Sequence, residues 1–303
     1  MTIKDLSRET GYSVGTISRV LNDQPNVSEK ARKAILAIVE ERGFQLNANA
    51  KNLKQQRSNC IAAVVKGTSN EMFATLVERL QALFASAAHP LIVDFIDEDD
   101  NEVKRAVQLC LERKPMGLMF LGANNCNFLA DFDKIQIPTV VVTNDASHLP
   151  FENLSSVTTD DCKGAACAVE YLLKAGHRSI AVIGGDRSIS DTSALRYRGC
   201  MEAFERCGVP FDEARMYHTG RYNYESGYTG MQEILKNTPE VTAVFAMADV
   251  IAIGAIRAAC DAGKRVPEDI SVIGYDGLKV GDYYCPKLST IAQSLDRIAL
   301  RSF

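Results

Sequence analysis

From Cys60 onward the sequence alternates short, nearly continuous apolar runs with amphipathic stretches, and this alternation restricts the fold more than any other feature. The runs at 60–65, 91–95, 116–121 and 138–143 are the length of buried strands. Between them, 72–87 and 103–113 carry apolar residues at helical spacing. The theme then restarts with a helix at 161–175, a strand at 179–184, a helix at 196–207, a strand at 242–247, a helix at 251–262 and a strand at 270–275. Apolar strands separated by helices predict parallel sheets covered on both faces. The restart predicts two open α/β lobes, with a small-molecule cleft at the strand C-termini.

The first fifty-odd residues follow a different rule. Thr2-Ile-Lys-Asp5 fits a capping box, Ile3 and Leu6 are apolar, and Gly11 ends that segment. Ser13 caps a second helix in which Ile17, Val20 and Leu21 face inward. Val14, Gly15, Thr16, Ser18 and Arg19 are left on its outer face. A third helix is capped by Ser28, presents Ala31, Ile35, Ile38 and Val39 on one side, and stops at Gly43. Two short helices joined by a glycine-containing turn, followed by a third, describe a helix-turn-helix DNA-binding unit. The plainer alternative is a three-helix bundle with idle outer faces. Charge separates the two: residues 1–58 hold 10 Lys or Arg against 6 Asp or Glu, whereas the rest hold 24 against 32. A basic head on an acidic body suits a protein whose head alone meets phosphate.

Composition excludes several classes. The chain of 303 residues is long enough for more than one domain, and 46% hydrophobic with 24% charged residues is a globular balance. No apolar run is long enough to span a bilayer, and the N-terminus lacks a signal-peptide core. Nine cysteines include no C-x-x-C pair; Cys60, Cys167 and Cys260 sit inside apolar or helical patterns, so reduced and mostly buried thiols in the cytoplasm are expected. His89, His148, His177 and His218 are scattered without metal-ligand spacing, and no metal site is expected.

Other motifs carry less. A calcium loop starting at Asp97 would need glycine at its sixth place and glutamate at its twelfth, where Glu102 and Gln108 stand. The acidic run 94–100 therefore reads as a solvated strand-to-helix turn. Gly184-Gly185-Asp186 lacks the spacing of a dinucleotide loop, and there is no phosphate-binding G-x-x-x-x-G-K-[ST]. No serine, cysteine or histidine lies in a nucleophile motif. No catalytic residue and no cofactor is expected.

Thr2-Ile-Lys-Asp-Leu6, the stretch from Ser13 to Asn22, Val27-Ser-Glu-Lys-Ala-Arg32, Gly43-Phe44 and Asn47-Ala-Asn-Ala-Lys-Asn-Leu53 together resemble the head of the lactose-repressor (LacI/GalR) family. Gly176-His-Arg-Ser-Ile-Ala-Val-Ile-Gly-Gly185, Arg196-Tyr-Arg-Gly199, Ala248-Asp-Val-Ile-Ala-Ile-Gly254, Ile273-Gly-Tyr-Asp276 and Leu288-Ser-Thr-Ile291 are similar to segments of its effector domain. The resemblance implies a small all-α helix-turn-helix head at 1–45, a hinge helix and linker at 46–58, and a periplasmic-binding-protein-like α/β domain of two parallel-sheet lobes at 59–303. It places lobe 1 at about 59–154 plus 286–303 and lobe 2 at about 155–285. Three crossings between lobes are expected, near Ser155, near 281–286 and around Ala146.

The implied function is a regulator, and a repressor by the family's habit, that binds a palindromic double-stranded DNA operator as a homodimer under control of a small-molecule effector, a sugar or sugar derivative. DNA contacts fall on Ser13, Val14, Gly15, Thr16, Ser18, Arg19, Asn22, Asn47, Ala50 and Leu53. Val14, Gly15 and Arg19 would read the major groove, and Leu53 would wedge into the minor groove. Effector contacts fall on Phe73, Arg196, Tyr222, Asp249, Asp276 and Gln293: an aromatic platform with charged hydrogen-bonding groups. The alternatives are a sugar-binding protein without regulatory role and an enzyme on the same lobes. Thr143, Ala248 and Leu121 stand where relatives carry more polar residues, so a less polar pocket is expected. Leu46 replaces the proline common before the hinge helix, which removes a preset helix start. Ser302-Phe303 falls inside the helix after the last crossing, so the C-terminus reads as short and the first lobe as leaving apolar surface uncovered.

Overall fold

The computed structural model describes residues 2–21, 24–25, 27–44, 58–68, 70–87 and 89–303. It forms two compact units, Met1–Arg57 and Ser58–Phe303. Asn22, Asn47, Ala50 and Leu53 lie outside the described residues, as does the segment expected to form the hinge helix.

In the first unit, α1 (Ile3–Thr10), α2 (Val14–Leu21) and α3 (Glu29–Glu41) pack around Leu6, Ile17, Val20 and Ile35. Thr2 and Asp5 close the reciprocal capping box, and Gly11 takes the left-handed conformation that ends α1. Ser13 Oγ accepts the Thr16 N–H at 3.2 Å, and Ser28 Oγ accepts the Ala31 N–H at 3.3 Å. Each helix starts where its sequence supplies an oxygen for an unpaired backbone donor.

The second unit holds two five-stranded parallel sheets. The first comprises β1 (Ile61–Lys66), β2 (Leu91–Ile96), β3 (Gly117–Leu121), β4 (Thr139–Val142) and β5 (Leu154–Val157), in the order β2-β1-β3-β4-β5. The second comprises β6 (Ile180–Gly184), β7 (Tyr217–Thr219), β8 (Ala243–Ala246), β9 (Ser271–Asp276) and β10 (Ser289–Ala292), in the order β7-β6-β8-β9-β10. The two orders are the same, so the lobes are structural duplicates and β4 of one corresponds to β9 of the other.

Strand alternation sorts the core. Ala63 and Val65 of β1 face Leu76, Leu80 and Phe84 of α4 (Glu71–Ser86), while Ala62 and Val64 face Val103, Ala106 and Leu109 of α5 (Glu102–Arg113). Phe128 of α6 (Asn125–Asp131) joins that second face. In the other lobe, Val182 and Phe245 pack on α7 (Asp161–Lys174) and α8 (Asp191–Arg206). The short α9 (Glu213–Met216) precedes β7. Ile183 and Val244 pack on α10 (Tyr224–Asn237) and α11 (Asp249–Asp261). The last two pairs of helices approach backbone to backbone. A Cβ at Gly199 of α8 would lie 2.0 Å from the Cys162 carbonyl oxygen, and one at Gly254 of α11 would lie 2.0 Å from that of Tyr224.

The crossing expected near Ser155 is present a few residues later, whereas the other two differ from those expected. Ser155 pairs with Val140 inside the first sheet, so the chain leaves that lobe only after Val157. The segment 281–286 belongs to the second lobe together with α12 (Lys279–Tyr283), because β10 still pairs with β9. The return comes after Ala292, and α13 (Leu295–Ser302) packs on α4, β4 and β5. Ala146 is buried among Phe132, Val141 and Leu149 of the first lobe and is no crossing. Among the described residues the chain crosses twice, at 158–160 and at 293–294.

All nine cysteines are free, but only Cys60 and Cys200 are buried. Cys167 and Cys260, expected inside, lie on the solvent sides of α7 and α11, whose buried stripes are supplied by neighbouring alanines and aliphatics. Among the described residues no helix is long and apolar enough to cross a membrane.

Candidate functional site

The outer face of α2 is built by what its inner face buries. Ile17 and Val20 are sequestered, which turns Ser13, Val14, Gly15 and Arg19 to solvent and leaves Thr16 and Ser18 half-buried. Val14 is 41% exposed, a position the core does not require to be apolar. Arg19 lies along its own helix, its Nε donating to the Gly15 carbonyl at 3.2 Å. The face offers a small apolar contact, bare backbone and one guanidinium, a set able to read base edges in a major groove.

The second unit contains a cleft of about 480 Å³ between its lobes, at the C-terminal ends of both sheets. Phe73, Arg196, Tyr222 and Asp276 line it, so four of the six expected effector residues converge. Phe73 enters from the first turn of α4 and lies over Gly122, where a Cβ would come within 3.1 Å of its ring. Tyr222 enters from the second lobe and lies over Gly185, where a Cβ would come within 2.8 Å. Its hydroxyl pairs with Ser193 Oγ at 2.8 Å. In both lobes a glycine seats the aromatic wall.

Arg196 and Asp276 form the buried polar floor. Arg196 is 3% exposed, donates from Nε to Asp161 at 2.8 Å and from Nη1 to the Met247 carbonyl, and stacks its guanidinium 3.7 Å above the Tyr275 ring. Burial opposes its charge, yet Asp161, Tyr222 and Asp276 outweigh burial and its pKa is raised. Asp276 is 4% exposed, stands 3.8 Å from Arg196 Nη2 and accepts from Gln293 Nε2 at 2.9 Å. Burial pushes its carboxyl up to about 7, against the pull of Arg196 and with a further push from Asp249. Its φ is 119°, a conformation rare outside glycine. Its counterpart at the end of β4, Thr143, has φ 77° and also lines the cleft. Strained non-glycine residues at equivalent strand ends mark the cleft as the place where backbone comfort has been sacrificed.

Two expected residues do not line the cavity. Asp249 is fully buried beneath it; its carboxylate accepts the Leu278 N–H at 2.6 Å and the Thr290 hydroxyl at 2.6 Å. Burial raises it to about 6. It braces the turn after β9 and does not face the ligand space. Gln293 sits at the return crossing, where its Oε1 accepts from Thr159 Oγ1 at 2.6 Å and its Nε2 reaches both Asp276 and the Met72 sulfur of the opposite lobe. It ties the two crossing strands to the floor. Of the less polar positions expected, Leu121 and Ala248 stand outside the lining and Thr143 stands within it.

Several lining groups had no motif to announce them. Lys66 pairs at 2.8 Å with the fully buried Glu102, which also accepts the Asn124 N–H at 2.7 Å and Asn127 Nδ2 at 2.9 Å. Asn144 Nδ2 reaches Thr192 Oγ1 across the cleft at 3.2 Å, and the Asn125 N–H reaches Asp191 at 2.9 Å. The acidic run is a strand-to-helix turn, as expected, but it also holds the second lobe: Arg221 meets Glu98 at 2.9 Å, Asp97 at 3.3 Å and Asp99. Among the described residues no cluster of three or more His, Cys, Asp or Glu is arranged to hold a metal ion.

Residues 2–47 match the family of bacterial regulatory proteins, lacI family, and residues 169–301 match the periplasmic binding protein-like domain. The HTH-type transcriptional regulator MalR of Clostridium butyricum is 31% identical over 99% of this chain and 90% of its own. The HTH-type transcriptional repressor PurR of Yersinia pestis is 31% identical over 100% and 88%. Among solved structures, the lac repressor dimer bound to operator and the anti-inducer ONPF superposes with TM-score 0.80 at 25% identity, covering 100% of this chain and 90% of that one. The complex of the transcriptional regulator CelR with cellobiose gives 0.72 at 26%, with the same coverage. A helix-turn-helix head carried with a two-lobed ligand-binding domain defines a DNA-binding transcriptional regulator. The chain belongs to the lacI family.

Proposed function

We propose that this regulator binds a palindromic operator as a homodimer, reading the major groove with Val14, Gly15 and Arg19, and that a small carbohydrate-type effector in the interlobe cleft switches it. The exposed outer face of α2 carries the first half of this reading. Ser13, Thr16, Ser18 and Asn22 would fix register on phosphate, and Asn47, Ala50 and Leu53 would meet the minor groove. The cleft supports the second half, since it sets Phe73 and Tyr222 as apolar walls around Arg196 and Asp276. The similar lac repressor structure, a dimer bound to operator, and the similar CelR structure, a complex with cellobiose, favour the same reading. We read the protein as non-enzymic and cytoplasmic. Effector binding would shift the balance between lobe arrangements, and through it the half-site geometry.

Titration against operator fragments selected from a random pool tests the DNA half. Arg19→Ala should lose about 1–3 kcal/mol of specific affinity and relax preference at one base pair per half-site. Unchanged base preference would remove Arg19 from the reading role. Leu53→Ala should weaken operator binding while leaving cleft ligands untouched, because a wedge acts only in the DNA complex. It should also reduce the helical signal gained in circular dichroism on adding operator. Equal affinity and equal gain would make Leu53 ordinary linker.

A further inference from the structure

The cleft is lined by carboxylates that outnumber its cations, and every lining cation among the described residues is already engaged. Lys66 is held by buried Glu102, and Arg196 by Asp161 with Asp276 beyond. Arg221 is surrounded by Asp97, Glu98 and Asp99. Asp186 adds a further carboxylate to the wall.

Helix N-termini are the other natural partners of an anion, and three of them open onto the cleft. Each is stoppered by its own cap. Asn70 Oδ1 accepts the Met72 and Phe73 N–H groups, Ser190 Oγ accepts that of Ser193, and Asn223 Oδ1 accepts that of Ser226. The first turns behind these caps carry Glu71, Asp191 and Glu225. A phosphate or carboxylate entering the cleft would find no uncommitted donor charge and would stand against several carboxylates. Hydroxyl groups would find the opposite: acceptors on Asp276, Asn144 and Thr192, and apolar ring faces on both sides.

We propose that the run Asp97-Glu98-Asp99, by holding Arg221 at the cleft mouth, sets the charge selection of the site, so that the effector is an uncharged polyhydroxy compound and its phosphorylated or carboxylated forms are rejected. This rests on the cleft being a carbohydrate-type effector site, and it adds which members of that class are admitted and why. The selection works by leaving the wrong ligand's charge unpaired beside like charges, the usual way in which a site discriminates by repulsion.

Isothermal titration of the full chain with matched pairs tests it: glucose and glucose 6-phosphate, ribose and ribose 5-phosphate, galactose and galacturonate, cellobiose and cellobionate. For any pair that binds, the neutral member should bind at least about a hundredfold tighter, the size expected when several like charges are juxtaposed across a binding interface. Equal or tighter binding of the anionic member would overturn the charge selection and leave the carbohydrate site standing. Silence from every pair would instead count against the carbohydrate site itself. The variant D97N/E98Q/D99N changes only exposed or half-buried turn residues and frees Arg221. It should narrow the gap between neutral and anionic members by about tenfold or more. An unchanged gap would relieve the acidic run of this role.

Discussion

Replacing Arg196 by alanine is expected to lower the stability of the effector domain by about 3–5 kcal/mol, the largest loss anticipated for any single cleft residue. The reason is what remains. Asp161 is 3% exposed and receives Arg196 Nε at 2.8 Å; without the guanidinium it becomes a buried charge without its counter-ion. The Met247 carbonyl loses its donor, and the Tyr275 ring loses the cation stacked 3.7 Å from its centre. Arg196→Lys should recover only part of the loss, because one ammonium cannot meet Asp161, the Met247 carbonyl and the Tyr275 face in the guanidinium's planar geometry. Arg196→Met with Asp161→Leu should recover more than Arg196→Met alone, since it removes the orphaned charge together with its partner. Urea midpoints at constant m-value give the comparison. A loss below about 1 kcal/mol for Arg196→Ala would mean that water enters to solvate Asp161 and that the arginine is there for ligand alone.

This double duty was not legible in the sequence. Strands of four to six apolar residues announced themselves, because burial on both faces leaves no room for polar alternation. Capping residues marked the helices of the head for an equally local reason. The helix at Tyr224–Asn237 gave no such signal: Gly227 and Gly230 interrupt its pattern. Those glycines answer to close neighbours elsewhere in the chain, since a Cβ at Gly227 would lie 2.1 Å from the Ile251 carbonyl oxygen. Asp249 shows the limit at the site. Its place just after a strand fitted a ligand contact, but position along the chain does not say which way a carboxylate turns, and this one turns to Leu278 and Thr290. The clamp between Arg221 and the run Asp97–Asp99 joins residues more than 120 positions apart, and nothing local to either encodes the meeting. Phe73, Arg196, Tyr222 and Asp276 were legible only through resemblance, and the fold brings these four together.

Asp276→Asn is expected to separate ligand recognition from stability, moving them in opposite directions. In the folded protein burial lifts this carboxyl to about 7, whereas its ordinary value is 3.8. The folded state therefore holds a proton that the unfolded chain has already released between those limits. The stability this group contributes is fully present below pH 4 and is lost as pH rises through 7. Asparagine carries no charge to desolvate. At pH 8 the ligand-free variant should be more stable than the parent by about 1–3 kcal/mol, and its urea midpoint should vary less between pH 5 and pH 8. Recognition should move the other way. A carboxylate with φ 119° at a strand end, held by Gln293 and only distantly by Arg196, is an acceptor kept for an incoming hydroxyl. Exchanging it for an amide should weaken effector binding by about 2–5 kcal/mol, one to a few orders of magnitude. Titration of the effector with both proteins, alongside urea melts at the two pH values, reads both effects in one set of samples. Loss of affinity with the parent's pH dependence intact would locate the titrating group elsewhere in the floor, at Asp249, which burial raises to about 6. A flat pH response with affinity unchanged would make Asp276 a strained structural residue whose carboxylate the ligand never touches.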